Sequence, residues 1–240
     1  MIYDAIDDIR NSIKNWFKRN YKYLTTILLY FLYQTNFLIS LMSSFGINLS
    51  KIPKTPRVFI FAINDLIYII ILLLMFKKDI LSGLKDLKKH LSKRILLSLN
   101  CWLLGCIIMT TSSFIISLIL KQNVSNNEEL VRQSISIAPL YMLFTCSIIA
   151  PIFEEMVFRK SLYGLIKFKW IFILVSGLSF GLLHVIGSYT GPLDFLYVIP
   201  YGSMGCCFAY ILTKTSNITL PILVHMIHNT ILVLIQIMGG

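Results

Sequence analysis

Charge is scarce in this chain. Asp, Glu, Lys and Arg make up 14% of its 240 residues, against roughly 25% in a soluble domain. Hydrophobic residues make up 56% and the mean hydropathy is +0.75, so a soluble globular domain is excluded. The sequence has no internal repeat, which counts against a transporter built from inverted repeats, and no low-complexity tract. Cys101, Cys106, Cys146, Cys206 and Cys207 offer no CxxC spacing of the metal type, and five is an odd number. They read as small apolar residues packing between helices. A signal peptide is excluded as well, because Asp4, Asp7 and Asp8 come early and no apolar core follows. The sequons at Asn123 and Asn217 carry little weight, since the second falls on the expected cytoplasmic side.

What the chain has in abundance is long apolar runs. A helix needs about 20 apolar residues to cross the hydrocarbon core. Runs of that kind predict about seven spans: Tyr23 to Ile47, Val58 to Phe76, Ile95 to Leu120, Ile135 to Phe158, Trp170 to Gly187, Phe195 to Leu212 and Ile218 to Met238. The expected fold is an all-α, polytopic transmembrane helical bundle. Once the spans are counted, no room remains for a second globular domain. Of the 22 Lys and Arg, 17 fall in alternate segments starting with the N-terminal one and 5 in the others. That split predicts a cytoplasmic N-terminus and an external C-terminus in the cell membrane. The net charge of +11 is then mainly a topology signal, and no nucleic-acid partner is expected.

Two further segments suit the membrane surface, with lipid as partner. Residues 1–22 carry Ile2, Ala5, Ile6, Ile9, Ile13, Trp16 and Phe17 at helical spacing, with Asp4, Asp7, Asp8, Arg10, Lys14 and Lys18 on the other face. This predicts an amphipathic interfacial helix. Ile80, Leu81, Leu84, Leu87 and Leu91, opposed by Lys85, Lys88, Lys89 and Lys93, read as a cytoplasmic anchor on anionic lipid. The organisation is then residues 1–22 on the surface, 23–134 as three spans with their loops, and 135–240 as a core that holds the chemistry.

Ionisable groups inside spans are costly and call for a reason. The fourth span holds Glu154 and Glu155, with Arg159 four residues on. The fifth holds Phe180 and His184, and the seventh His225, His228 and Asn229. Glu155 and Arg159, at i and i+4, share a helix face and can pair. Glu154 is turned about 100° away and is free to face the bundle interior. His225 and Asn229, also four apart, present two polar groups on one face. A carboxylate with a histidine can take a proton from water, and a histidine with an asparagine can stabilise an oxyanion. The same residue types could instead hold zinc through Glu154, His184 and His225. Spacing leaves both open. Depth sets a condition on either: at about 1.5 Å per residue, His225 lies about 11 Å and His184 about 21 Å above the starts of their spans. They meet only if the helices are staggered or the fifth span begins near Ile173.

These three motifs, EExxxR at Glu154-Glu155 and Arg159, FxxxH at Phe180 and His184, and HxxxN at His225 and Asn229, resemble those of the Abi group of intramembrane proteases. It is also called the CAAX-protease and bacteriocin-processing (CPBP) family. The resemblance runs from about Ile135 to Met238; the first three spans share only hydropathy. It implies an intramembrane endopeptidase in which Glu154 is the general base, assisted by His184, and His225 and Asn229 stabilise the oxyanion. Glu155, Arg159 and Phe180 are supporting. It also implies a glutamate mechanism without a cofactor in preference to zinc. The implied substrate is a membrane-associated peptide or protein: a pheromone or bacteriocin precursor, a leader, or a lipidated tail. Usage rich in Lys, Ile and Asn points to a bacterium and so to a peptide substrate. The alternative is a non-catalytic scaffold, sensor or immunity protein that keeps the fold.

Other residues have plainer readings. Gly177 and Gly181 form a GxxxG step for close helix contact. Asp65, beside Asn64 in the second span, reads as a structural contact or a cavity residue. His228, outside the motifs, lines the cavity or bonds to backbone.

Overall fold

The structure, a computed structural model, describes residues 2–239, with side chains from Ile6 onward. Ten helices carry the fold: α1 Ile2–Gln34, α2 Phe37–Ser44, α3 Lys54–Met75, α4 Lys77–Lys89, α5 Leu91–Leu120, α6 Asn126–Ile137, α7 Pro139–Leu165, α8 Lys169–Ile186, α9 Val198–Thr215 and α10 Thr219–Gly239. A 3-10 turn, Pro192–Tyr197, leads into α9. There is no strand among the described residues. Six helices are long and apolar enough to cross a membrane, and seven if α1 and α2, bent by 55° at their junction, form one span.

The first span differs from expectation. Residues 2–22 and the run from Tyr23 are one unbroken helix, α1, which holds neither Gly nor Pro. The break comes at Asn36, which sits in the left-handed region (φ 50°). Ile2, Asp4 and Ala5 of the expected amphipathic face lie outside the described side chains. From Ile6 on, Ile9, Ile13, Trp16 and Phe17 are all exposed on the protein, as a face for lipid requires. The fourth span also starts later than expected. Ile135 to Ile137 belong to α6, and the chain turns at Ala138 (φ −143°, ψ 67°) because the residue before a proline is pushed out of the helical region.

The helices after Pro139 form the centre. Pairing of α8 with α9 depends on glycine. A Cβ on Gly177 would lie 2.9 Å from the Gly202 carbonyl oxygen, and one on Gly181 2.6 Å from that of Val198, so the backbones touch as the GxxxG step predicts. Around them a core of Phe153, Met156, Phe158, Phe172, Phe180, Ala209, Leu212 and Ile222 closes the lower half of the bundle. The α4 anchor does more than lie on lipid. Its Gly83 and Leu87 are buried, and Asn217 at the head of α10 donates to the Gly83 carbonyl at 2.9 Å and to Asp86 at 2.9 Å. Thr219 donates to the carbonyl of Ile80. A side chain at position 83 would lie 2.3 Å from both Asn217 and Thr219. Helix α10 therefore starts on top of α4.

Candidate active site

Helix α7 is widened twice where it carries the acidic motif. Thr145–Ile149 and Glu155–Ser161 are π-helical, a form that is rare and concentrated at functional sites. The first widening follows from Pro151. Its ring clashes with the carbonyl one α-turn back, and it has no N–H. Ala150 N–H bonds five residues back to Thr145, so the next carbonyl, that of Cys146, is denied its helical donor. Asn229 fills that role, its Nδ2 donating to Cys146 O at 2.9 Å. Asp65 holds the same stretch from α3: buried, it accepts from Tyr141 Oη at 2.9 Å and Thr145 Oγ1 at 3.3 Å. Of its two readings, the structural one fits, and Asp65 does not line the cavity described below. The second widening is supported by Ser161 Oγ, which reaches the Met156 carbonyl, and by Ser176 Oγ from α8, which reaches that of Phe158.

Glu154 and Glu155 face different surroundings, as one helical step requires. Glu155 and Arg159 have no exposure at all; their Oε1 and Nη1 lie 3.2 Å apart, an ion pair by distance without an aligned hydrogen bond. Arg159 Nη2 also donates to Gly205 O at 3.2 Å. Its guanidinium lies 4.5 Å over the Phe180 ring and 5.3 Å over Phe208, a favourable cation–π setting away from water. The same Glu155 Oε1 accepts from His225 Nδ1 at 2.9 Å. His225 is stacked on Phe208, centroids 4.8 Å apart, and its Nε2 lies 3.7 Å from Glu154 Oε2. So Arg159, Glu155 and His225 form a buried chain that aims the imidazole at Glu154. Glu154 Oε2 has no hydrogen-bond partner in the protein; a buried carboxylate oxygen without one calls for an explanation.

His184 is fixed differently. Its Nδ1 lies 2.8 Å from the carbonyl oxygen of Phe180. A carbonyl only accepts, so the proton sits on Nδ1 and the neutral ring keeps its lone pair on Nε2. The ring stacks on Tyr201, 4.6 Å away at 21°, and packs 4.5 Å from Phe180. Phe180 thus touches His184, His225 and Arg159 together. Glu154, His184, His225, His228 and Asn229 all lie on the wall of one cavity of about 550 Å³. No hydrogen bond joins Glu154 to His184; the imidazole nearest to Glu154 is that of His225.

Sequence reasoning missed several residues of this wall. Tyr201 orients His184 and is itself held by Ser125 (2.7 Å) and Asn127 (3.2 Å) at the start of α6. Trp102 in α5 donates its indole N–H to His228 Nδ1 at 3.2 Å. Indole nitrogen only donates, so neutral His228 carries its proton on Nε2. The contact is to a side chain, not to backbone. Pro151 was the one readable signal, a proline inside a span three residues before a glutamate. Nothing in the sequence pairs Trp102 with His228, 126 residues apart.

Among the described residues no three His, Cys, Asp or Glu side chains converge closely enough to hold a metal ion. Glu155 engages Nδ1 of His225, and the Phe180 carbonyl engages Nδ1 of His184, which leaves Nε2 of each ring free as in a metal-binding histidine. It is the separation of Glu154, His184 and His225, not their hydrogen bonds, that keeps them from forming a zinc ligand set in this arrangement.

Comparison with known proteins agrees with the motifs. Residues 136–231 match the family model described as "Type II CAAX prenyl endopeptidase Rce1-like", the segment that carries all three. The chain is 33% identical over 116 residues to "Putative membrane peptidase YdiL" of Bacillus subtilis (strain 168), covering 47% of this chain and 44% of that protein. It is 32% identical over 151 residues to "Membrane-embedded CAAX protease MroQ" of Staphylococcus aureus (strain USA300), covering 57% and 58%. It is 26% identical over 169 residues to "UPF0177 protein YxdF" of Lactococcus lactis subsp. lactis (strain IL1403), covering 67% and 86%. The match thus spans about half the length of the first two. No solved structure matches the chain. The protein is a multi-pass membrane protein with a CAAX-protease-like core.

Proposed function

We propose that this protein is an intramembrane endopeptidase that uses Glu154 to activate water. The observation that carries the reading is a buried carboxylate oxygen, free of protein partners, on the wall of a cavity it shares with His184, His225 and Asn229. In the proposed reaction Glu154, assisted by the Nε2 lone pair of His184, takes a proton from water, and the hydroxide attacks the scissile carbonyl carbon. The carbonyl oxygen becomes an oxyanion. Asn229 donates one amide hydrogen to Cys146 O and has a second for the oxyanion. His225, as imidazolium, keeps Nδ1–H on Glu155 and offers Nε2–H. Protonated Glu154 then gives its proton to the leaving amine as the C–N bond breaks. Each step uses groups held in place before substrate arrives, which is where such stabilisation gains its strength.

The split of basic residues supports a cytoplasmic N-terminus and an external C-terminus. One of the 17 basic residues on the expected inner side, Arg159, is fully buried in the bundle. Leaving it out does not change the sign of the split. Substrates of the kind the resemblance implies, membrane-associated peptides and leaders, suit a cavity of this size.

The test is mass spectrometry of peptides released by cells that make the wild-type protein or Glu154→Ala in equal amounts. The expected result is loss of defined cleavage products in the variant, with membrane insertion unchanged. Identical peptides from both would favour the scaffold reading.

A further inference from the structure

The cavity belongs to one face of the molecule. Its wall is made by the second half of α5 (Met109, Ser113), the loop and helix that follow (Asn123, Glu128, Arg132), the late turn of α8 at His184, the early turns of α9 and α10 from His225 onward. Below Glu154 and His225 the bundle is closed. Arg159 and Glu155 are fully buried there, with Phe180 and Phe208 against the guanidinium. The mouth is therefore at the α6 end, and Asn123 at the mouth is exposed.

The opposite end is the basic one. Lys77, Lys78, Lys85, Lys88 and Lys89 of α4, then Lys93, Arg94, Lys160, Lys167, Lys169 and Lys214 gather there. Contacts tie them to one side: Lys160 pairs with Asp79 of α4, and Lys22 of α1 reaches the last carbonyl of α3. On the cavity side the basic residues are Lys51, Lys54, Arg57, Lys121 and Arg132, and Lys54 is bound to the Ile137 carbonyl at the end of α6. Clustered Lys and Arg in short loops mark the cytoplasmic side. This assignment survives whether α1 and α2 count as a span or not, because both sides are tied by direct contacts.

Resting on the endopeptidase reading above, we infer that the cavity opens to the extracytoplasmic face and takes an apolar peptide segment from the outer leaflet. Lipidated tails of cytoplasmic proteins approach from the wrong side. Glu154 lies 15 residues into α7 from Pro139, or about 22 Å of helix rise. An extended peptide spans that with about seven residues at about 3.3 Å each. The wall it passes includes apolar Met109, Ile135, Met204, Leu232 and Val233, with polar Ser113, Asn127 and Gln236 among them. The substrate class is accordingly a hydrophobic peptide, or the membrane segment of a small exported precursor, whose outer-leaflet half unwinds to reach Glu154. Arg132 and Glu128, paired at 2.9 Å across one turn of α6, flank the mouth and would meet the polar end of that peptide.

The test for sidedness needs no substrate. The five native cysteines are replaced by Ser or Ala, and Asn123→Cys or Lys85→Cys is added singly. Each is treated with a membrane-impermeant maleimide in intact spheroplasts and in inverted vesicles. The expected result is labelling of Asn123→Cys in spheroplasts only and of Lys85→Cys in inverted vesicles only. The reverse pattern would overturn the inference while leaving the peptidase reading untouched. If the cysteine-free chain fails to insert, a tag appended after Gly240 of the wild-type chain serves instead. Its removal by protease added to intact cells is expected, and full protection overturns the inference. Substrate class has its own readout: cleavage sites lost in Glu154→Ala cells should map to the outer-leaflet half of apolar segments. Sites confined to cytoplasmic tails would refute that class even with sidedness upheld.

Discussion

The helices before Pro139 and those after it are built to different rules. In α5, 11% of the most apolar stretch is buried; in the Pro192–Thr215 span, 56% is. Helix α5 faces lipid along most of its length, whereas α9 is surrounded by protein. Buried acidic and basic groups follow the same division: Glu154, Glu155, Arg159, Asp194, His225 and His228 all lie after Pro139, and Asp65 before it. Yet the first half is more than a lipid-facing wrapper. Asp65 holds the widened turn of α7, Trp102 fixes the tautomer of His228, Ser125 and Asn127 hold Tyr201 against His184, and Tyr33 stacks on Phe153 beside Glu154. The second half carries the proposed reacting groups and the first half holds their surroundings in place.

If that division is right, mutations should sort by side. The largest effect is expected in the second half. Glu154→Ala or His184→Ala should lower processing by about 10² to 10⁴, the range for a lost acid–base group, with insertion unchanged on a membrane blot. Asn229→Ala should cost about 10² to 10³, as one oxyanion donor does, seen as a fall in kcat with little change in KM. In the first half Trp102→Phe should cost only a few-fold. It frees His228 Nδ1, so nitrogen NMR of labelled histidine should show a mixed tautomer where the wild type shows Nε2–H alone. A loss as large as that of Glu154→Ala would erase the division.

The smallest effect tests the anchor on which α10 starts. Hydrogen bonds from Arg94 and then Asn217 hold the Asp86 carboxyl below its ordinary value of 3.8. A lowered folded value means that the contribution is present above the unfolded value and is lost as pH falls through the folded one. Asp86→Asn should therefore lower the stability slightly at pH 7, by no more than about 1 kcal/mol for a partly exposed pair, read as a small fall in melting temperature. The gap from wild type should narrow only below about pH 4. A gap that is constant down to pH 3 would show that the ion pair does not carry the docking.

How much of this was legible in sequence depended on the range of the interaction. Spans, the EExxxR pair and the GxxxG contact are local: apolar runs, i to i+4 spacing and small residues one turn apart suffice. The start of α7 was also legible, since Pro139 restricts Ala138, but the apolar Ile135 to Ile137 masked it. The continuity of α1 was missed because amphipathic and fully apolar stretches differ in composition, and composition does not break a helix. That His184 and His225 share one cavity was beyond reach, since it depends on the packing of helices distant in sequence. The seat of α10 on α4 was hidden for the same reason: Asn217 reaches Gly83, more than 130 positions away. The π turns were hidden for a related reason: the Cys146 carbonyl freed by Pro151 is matched only by Asn229, 83 residues away.

The central claim is that side chains around Glu154, not a metal, activate the water. The most direct measurement is the processing rate of the purified protein in a strong chelator, wild type against Glu154→Gln. The substrate is a peptide identified from the release comparison. The account predicts that the wild type keeps its rate with well under one metal ion per chain and that Glu154→Gln loses it. Undiminished processing by Glu154→Gln, or wild-type activity lost in chelator and restored by zinc alone, would contradict it.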